Sequence, residues 1–421
     1  MLELAVLADD ITGAADTGAQ FLAVASPVYL LDHRLLCLGG FERPPRAIAV
    51  FTSSRGLSAA EAGRVVAAAG RAIRGFHPQR VYKKIDSALR GHIGVELEAA
   101  MEAMGLPLSF IVPAFPEQGR TTLGGVHHVH GVPVAASEMG RDPIGPVTDS
   151  VLPRWIGMQT VWPVAHLPVE TIEAGLEEAA QAIERERSRG ARHISFDATA
   201  NGHLDRIARL ALERFPDALL CGSAGLAQRL AGRLKRAASE TVPRPAALEE
   251  NSGHFLFVCG SASETLRRQA TVLAEHAGVA VETLSPAVLI GDDAAALRES
   301  ELSRAAAAFS QRDVVLQISP PSGPSGAVDP RSLVLKLAEF AADMMGRAKT
   351  AGLFLSGGDT ALAVLERLQV KAVRLEREMA SGLVYGTLVG GPLTGGPIVT
   401  KAGSFGPPHA LLSLYRSLRP G

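Results

Sequence analysis

Several things this chain lacks narrow its class before anything it contains does. Among 421 residues there are three cysteines, Cys37, Cys221 and Cys259. Odd in number, scattered and without CxxC spacing, they exclude a disulfide framework and a zinc knuckle and suit a reducing compartment. The net charge is -1, which gives neither nucleic acid nor an anionic membrane an electrostatic hold. No uninterrupted apolar run reaches the roughly 18 residues of a membrane helix. Met1-Leu2-Glu3-Leu4 passes straight into a strand, with no basic n-region or cleavage site. The Walker GxxxxGK[ST] motif, the GxGxxG dinucleotide fingerprint and the kinase HRD and DFG sets are all missing, so a bound nucleotide would need a different glycine framework. A cytoplasmic enzyme is the expectation.

The composition, 47% hydrophobic and 20% charged, is that of a globular protein, and 421 residues suggest two domains or three. Apolar strand-like runs alternate with helical periodicity, which predicts an α/β fold. The alternation stops at Ala237–Gly253, a stretch of prolines and polar residues without a period. We place a linker at 239–253 between a domain of residues 1–238 and one of residues 254–421. No internal repeat and no low-complexity tract is seen.

The stretch Leu353-Phe-Leu-Ser-Gly-Gly-Asp359-Thr360-Ala361-Leu362 organises the second half. It reads as a buried strand, a glycine turn, and a helix opened by Asp359 and Thr360 as N-cap residues. Glycine lets phosphate oxygens approach the backbone, and the unpaired N–H groups of a helix start point at them. A ligand-free βα turn has the same pattern. A second glycine run, Gly390 to Gly396, precedes a strand and then Thr400-Lys401-Ala402-Gly403-Ser404-Phe405-Gly406; two such turns and a lysine close in the chain favour a nucleotide. Gly260-Ser261-Ala262-Ser263, after the strand Phe255–Cys259, is one more candidate phosphate contact.

In the first half, charged residues collect where strands end. Asp9-Asp10 follow the run Leu2–Ala8, and acids there can accept substrate hydroxyls, hold a metal or deprotonate a nucleophile; one of them could instead cap the helix. Arg55 follows the strand 47–51. Ser58 and Glu61 form a capping box for the next helix, leaving Arg55 as the residue of that loop suited to a carboxylate. Lys83-Lys84-Ile85-Asp86 and Arg90-Gly91 lie between a strand and a helix from Ile93 to Met104. His127, His128 and His130, in the segment 124–146, match no metal-ligand spacing and read as an ordinary loop. Residues 170–189 read as one long amphipathic helix.

Taken in order, Asp9-Asp10-Ile11-Thr12-Gly13-Ala14, Lys83-Lys84-Ile85-Asp86-Ser87 with Leu89-Arg90-Gly91, Pro113-Ala114-Phe115-Pro116 with Gly119-Arg120-Thr121, Gly357-Gly358-Asp359-Thr360, and Lys401 through Gly406 form a series. That series, spanning almost the whole chain, resembles the four-carbon acid sugar kinases: threonate, erythronate and 3-oxo-tetronate kinases. The resemblance implies two Rossmann-like α/β domains, an N-terminal one for the acid and a C-terminal one for ATP, with an active-site cleft between them. It implies phosphorylation of a terminal C4 hydroxyl using ATP and Mg²⁺. Carried over, the substrate side is Asp9 or Asp10, Arg55, Lys83, Lys84, Ile85 and Asp86. The nucleotide side is Ser261, Gly357, Gly358, Asp359, Thr360 and Gly403. Any of Asp9, Asp10 and Asp86 could act as base, and Asp359 could approach the metal; no metal ligand set is read from the sequence.

Two departures stand on the substrate side. Ser53 occupies a position where the family pattern has an acid, and residues 123–134 replace a more polar, asparagine-containing stretch. They leave open a kinase for another small branched or keto acid. A non-catalytic sugar-acid sensor and a nicotinamide-dependent oxidoreductase fit less well. The expected partner is a small sugar acid, with neither nucleic acid nor membrane, and a homodimer is compatible with the sequence.

Overall fold

Runs such as Leu4–Ala8 and Ala47–Phe51 are apolar at every position, which marks strands covered on both faces of a parallel sheet. The computed structural model describes residues 2–37, 39–142, 145–237, 253–260, 263–291, 294–319, 329–403 and 406–419. It divides into two compact units, Met1–Val242 and Pro243–Gly421. Both are α/β. Of the linker expected at 239–253, all but Gly253 lies outside the described residues.

The first unit contains β1 (Leu4–Ala8), β2 (Val28–Asp32), β3 (Ala47–Phe51), β4 (Arg80–Lys84), β5 (Leu108–Val112), β6 (Arg120–Leu123), β7 (Val126–Val129), β8 (Val132–Pro133), β9 (Val164–Leu167), β10 (His193–Phe196) and β11 (Ala218–Gly222). Eight of them form a parallel sheet in the order β2-β3-β1-β4-β11-β5-β10-β9. The chain lays β2 and β3 on one side of β1 and then crosses to place β4 on the other. Helices that diverge at such a reversal leave a crevice at the carboxyl ends of the strands. Register sharpens this: Ala8 pairs with both Phe51 and Lys84, so the residues after β1, β3 and β4 emerge at one level.

The second unit contains β12 (His254–Cys259), β13 (Ala280–Leu284), β14 (Val314–Ile318), β15 (Thr350–Ser356), β16 (Ala372–Ala380), β17 (Leu383–Val389) and β18 (Pro397–Lys401). Their order is β13-β14-β12-β15-β18-β17-β16, and β17 alone runs against the others, antiparallel to both β18 and β16. The crossing beside β1 recurs beside β12. Phe255, Phe257, Phe354 and Val399 pack with Leu266, Leu273, Leu411 and Leu414 of the covering helices to form its core.

Two expectations are corrected. The His-rich segment is not a loop but an antiparallel meander, β6-β7-β8. Glycines at φ +57 and +74 (Gly124, Gly125) turn β6 into β7, and His127 is buried inside, bonded to the Thr122 hydroxyl. The helix read over 170–189 is two, Val169–Ala174 and Leu176–Ser188, because Gly175 adopts φ +131 between them. The capping box of Ser58 and Glu61 is present. Among the described residues, no helix is long and apolar enough to cross a membrane.

Burial pushes the imidazoles of His127 and His193 down to about 4, so both are neutral in the folded protein. Below their ordinary value of 6.5 the unfolded chain takes up protons that the folded one refuses. Stability should therefore hold above pH 6.5 and decline as pH falls toward 4, measured as denaturant midpoints across that range; His127→Gln should flatten part of the slope.

Candidate functional site

The carboxyl tips of β1, β3 and β4 carry Asp9-Asp10, Thr52 to Arg55, and Ile85-Asp86. Arg55 reaches across from the β3 tip. Its Nε donates to Asp9 Oδ2 at 2.7 Å and its Nη2 to Asp10 Oδ1 at 3.1 Å, with Asp86 Oδ1 at 3.9 Å. Asp86 is gripped at both oxygens by Arg90, at 2.9 and 3.0 Å, a bidentate fork. It also accepts the backbone N–H groups of Ala88 and Arg90. Leu89 and Gly91 bend this loop back with φ +65 and +91, and a Cβ on Gly91 would stand 3.4 Å from Asp9 Oδ2.

The acids differ in how far their lone pairs are spent. Asp10 caps the helix Ile11–Gln20 through Gly13 N and also accepts the Thr12 hydroxyl. Asp86 has four donors. Asp9 is buried, held at Oδ2 by Arg55, and its Oδ1 has no hydrogen-bond partner among the described residues. A buried acceptor left open at a crevice is where a ligand donor belongs. Burial would raise the Asp10 and Asp86 carboxyls, but the cations around them prevail: Arg55 and Lys84 hold Asp10 below the usual range, and Arg90 and Arg55 hold Asp86 well below it. Arg55 itself is pushed well above its ordinary value, burial notwithstanding, by Asp10, Asp9 and Asp86.

The two lysines part ways because successive strand residues face opposite sides. Lys83 is completely buried, donating to Glu96 Oε2 at 2.7 Å and to the Lys84 carbonyl at 3.1 Å, so its charge is paired beneath the tip. Lys84 reaches the tip: a Cβ on Gly13 would come 3.0 Å from its Nζ, beside Asp10. Ile85 is buried and contributes only its backbone, donating to Gly222 and accepting from Lys84 Nζ. Glu96 was missed by sequence reasoning. Its signal was there: an acid in phase with the buried Ile93, Leu97, Ala100 and Met101 of its helix. Its other oxygen accepts Ser54 Oγ at 2.6 Å, which fixes the loop carrying Arg55. Ser53, the departure from the family pattern, turns there with φ +51. The other departure, the meander, is tied to the same site through His127, which bonds the Ser87 carbonyl at 2.8 Å.

In the second unit β15 ends at Ser356, and the helix Gly358–Arg367 begins after one residue, Gly357, with φ +94. The cap therefore sits earlier than expected. Gly357 and not Asp359 or Thr360 is the N-cap, and no side chain among the described residues caps the first N–H groups. Asp359 is exposed in the first turn, while Thr360 is buried so tightly that a Cβ on Gly260 would lie 2.3 Å from its hydroxyl. Gly403 follows β18 within this same edge. Ser261 lies outside the described residues. The glycine run 390–396 does not join them: it precedes β18, whereas Gly357 follows the parallel β15, so the two turns occupy opposite ends of the sheet.

Residues 4–230 match a family model described as a sugar-binding N-terminal domain, and residues 256–411 one described as a nucleotide-binding C-terminal domain. The D-threonate kinase of Bordetella bronchiseptica is 32% identical, the alignment covering 99% of this chain and 97% of that one. The D-erythronate kinase of Heliobacterium modesticaldum is 28% identical over 96% and 94%. A crystal structure from Haemophilus influenzae shares the fold, with a TM-score of 0.72 at 21% identity over 96% of this chain and 97% of that one.

Glu96→Ala would leave the Lys83 ammonium buried without its carboxylate partner, holding only the Lys84 carbonyl. Loss of one partner of a buried pair costs about 3–5 kcal/mol, which chemical denaturation should register, with Glu96→Gln milder because it keeps an acceptor for one donor.

Proposed function

The chain belongs to the four-carbon acid sugar kinase family, and from that premise we propose that it transfers the γ-phosphoryl group of ATP to the terminal C4 hydroxyl of a four-carbon acid such as threonate, erythronate or 3-oxo-tetronate. Sugar-acid phosphorylation is the activity named for its relatives. The donor, the hydroxyl and the particular acid are what this reading adds.

The observation that carries it is Asp9, with one oxygen locked by Arg55 and the other buried and open. Of the three acids, it alone keeps an oxygen with no hydrogen-bond donor among the described residues, so we assign it the proton of the attacking oxygen. Arg55, its side chain 24% exposed, and Lys84 supply positive charge for the substrate carboxylate. Asp10 and Asp86, held ionised, keep Arg55 and Arg90 oriented and leave proton transfer to Asp9. Phosphoryl transfer asks mainly for alignment and charge neutralisation, which these fixed groups provide on the acceptor side.

The donor side fits a phosphate chain: an uncapped helix start, a positive-φ glycine and a close glycine approach at Gly260. Gly357, Gly358, Thr360 and Gly403 would hold ATP, with Ser261 and, toward Mg²⁺, Asp359 as further candidates. When bound, ATP with Mg²⁺ supplies the phosphoryl group and neutralises its developing charge. The segment 123–134, tied to Ser87 beside Asp86, keeps a branched or keto acid as the second reading, since it departs from the family pattern where it touches the substrate loop.

A panel of D- and L-threonate, D-erythronate, their 3-oxo forms and D-glycerate, assayed with ATP and Mg²⁺, tests the reading; absence of turnover on every four-carbon acid overturns it. Asp9→Asn should lower kcat by about 10²–10⁴-fold with little change in the KM for ATP. Arg55→Ala should raise the KM for the acid and spare ATP, whereas Gly358→Val should do the reverse. If both changes fall on the same ligand, the division of labour between the units is wrong.

A further inference from the structure

Lys401, the last residue of β18, is 1% exposed, yet no carboxylate pairs with it among the described residues. Its ammonium donates to the carbonyls of Ala402 at 3.1 Å and Gly403 at 2.9 Å. The side chain therefore rises past the strand end into the turn that holds Gly403, with one of its three protons still to place. Lys83 is the instructive contrast. It too ends up buried near the end of a parallel strand, but Glu96 stands 2.7 Å away.

Register sets Lys401 beside Ser356 on β15, and Ser356 beside Cys259 on β12, so the three side chains form a row on one face of the sheet at its carboxyl edge. Ser356 is completely buried, and its hydroxyl has no hydrogen-bond partner among the described residues. The next residue, Gly357, opens the helix Gly358–Arg367 without a capping side chain, and its N–H donates to the Lys401 carbonyl at 3.0 Å. A buried ammonium without a counter-ion, a buried hydroxyl without a partner and an uncapped helix start thus meet at one edge. Each is unfavourable in isolation, and an oxyanion would satisfy all three.

We infer that Lys401 and Ser356 form a built anion site that takes a phosphate of the nucleoside triphosphate chain, Lys401 supplying its buried counter-charge. The inference rests on the proposed nucleotide role of this unit and adds two residues that the family resemblance does not assign. Burial lowers the Lys401 ammonium to about 8 when no anion is present, and a bound phosphate would raise it again. The other titratable group in the row, Cys259, is pushed by burial up to about 12 and stays neutral throughout.

The test uses the full chain, with ATP, inorganic tripolyphosphate and adenosine as probes, followed by calorimetry and thermal unfolding. Lys401→Met should weaken ATP and tripolyphosphate at least about tenfold and leave adenosine and the sugar acid unchanged. Its Tm without nucleotide should equal or exceed that of the wild type, because an unpaired charge gives way to an apolar chain of similar length. Ser356→Ala should weaken both phosphates a few-fold. For the wild type near pH 8.5, ATP binding should take up a proton, seen as a dependence of the binding heat on buffer ionisation; this readout stands even if Lys401→Met fails to fold. A Met variant with a lowered Tm and undiminished ATP affinity, or ATP binding without proton uptake, overturns the inference alone. A wild type that binds the sugar acid but neither ATP nor tripolyphosphate overturns the nucleotide reading and this inference with it.

Discussion

The contact between Arg55 and Asp9, 2.7 Å across the tips of β3 and β1, is the constraint on which the first unit's chemistry depends. One guanidinium binds Asp9 and Asp10 and approaches Asp86, so three acids can crowd one strand edge without expelling one another's charge. Arg90 completes the balance on Asp86. Below them, the buried pair of Lys83 and Glu96 with the Ser54 hydroxyl fixes the loop from which Arg55 extends. Each layer leaves the next fewer options, until a single carboxylate oxygen, Asp9 Oδ1, remains unclaimed.

The second unit reaches a ligand edge by the same topology and the opposite chemistry. The orders β2-β3-β1-β4 and β13-β14-β12-β15 follow the same path, and each reverses direction beside its first strand. At the first reversal the tips are charged and mutually paired. At the second, among the described residues, they are Gly260, the Ser356 hydroxyl and Gly357, with Asp359 exposed in the helix turn that follows and Lys401, without a counter-ion, one strand further on. A site that must hold a small polyol acid benefits from fixed charges of both signs, whereas a phosphate chain is held by backbone N–H groups and positive charge alone. The absence of sequence repetition between the halves is consistent with this, since a strand path tolerates any residues that fit the pleat, while the tips would answer to the different ligands proposed for them.

Much of this could be read from the chain. The strand 47–51, the helix 93–104 and the Ser58–Glu61 capping box follow from local periodicity and caps, which depend on neighbours within a turn or a pleat. Asp9, Asp10, Arg55 and Asp86 were legible as strand-tip residues because a charged group just after a continuous apolar run has no interior role. What misled the reading was also local. The glycine run 390–396 looked like a companion to Gly357 because the two are close in sequence, yet β17 turns the chain round so that they lie at opposite ends of parallel strands.

The sequence by itself determined the α/β class, the alternation of elements, the strand tips that carry charge and glycine, and the family to which their order belongs. Only the tertiary structure decided which lysine of the 83–84 pair faces the site, that Glu96 is the buried partner, and that, among the described residues, Asp9 keeps an open oxygen and Lys401 has no counter-ion. The reason is that composition and period report a residue's own preferences. Whether a charge is paired or orphaned depends on what comes from strands and helices distant in the chain, and that is set when the sheet assembles.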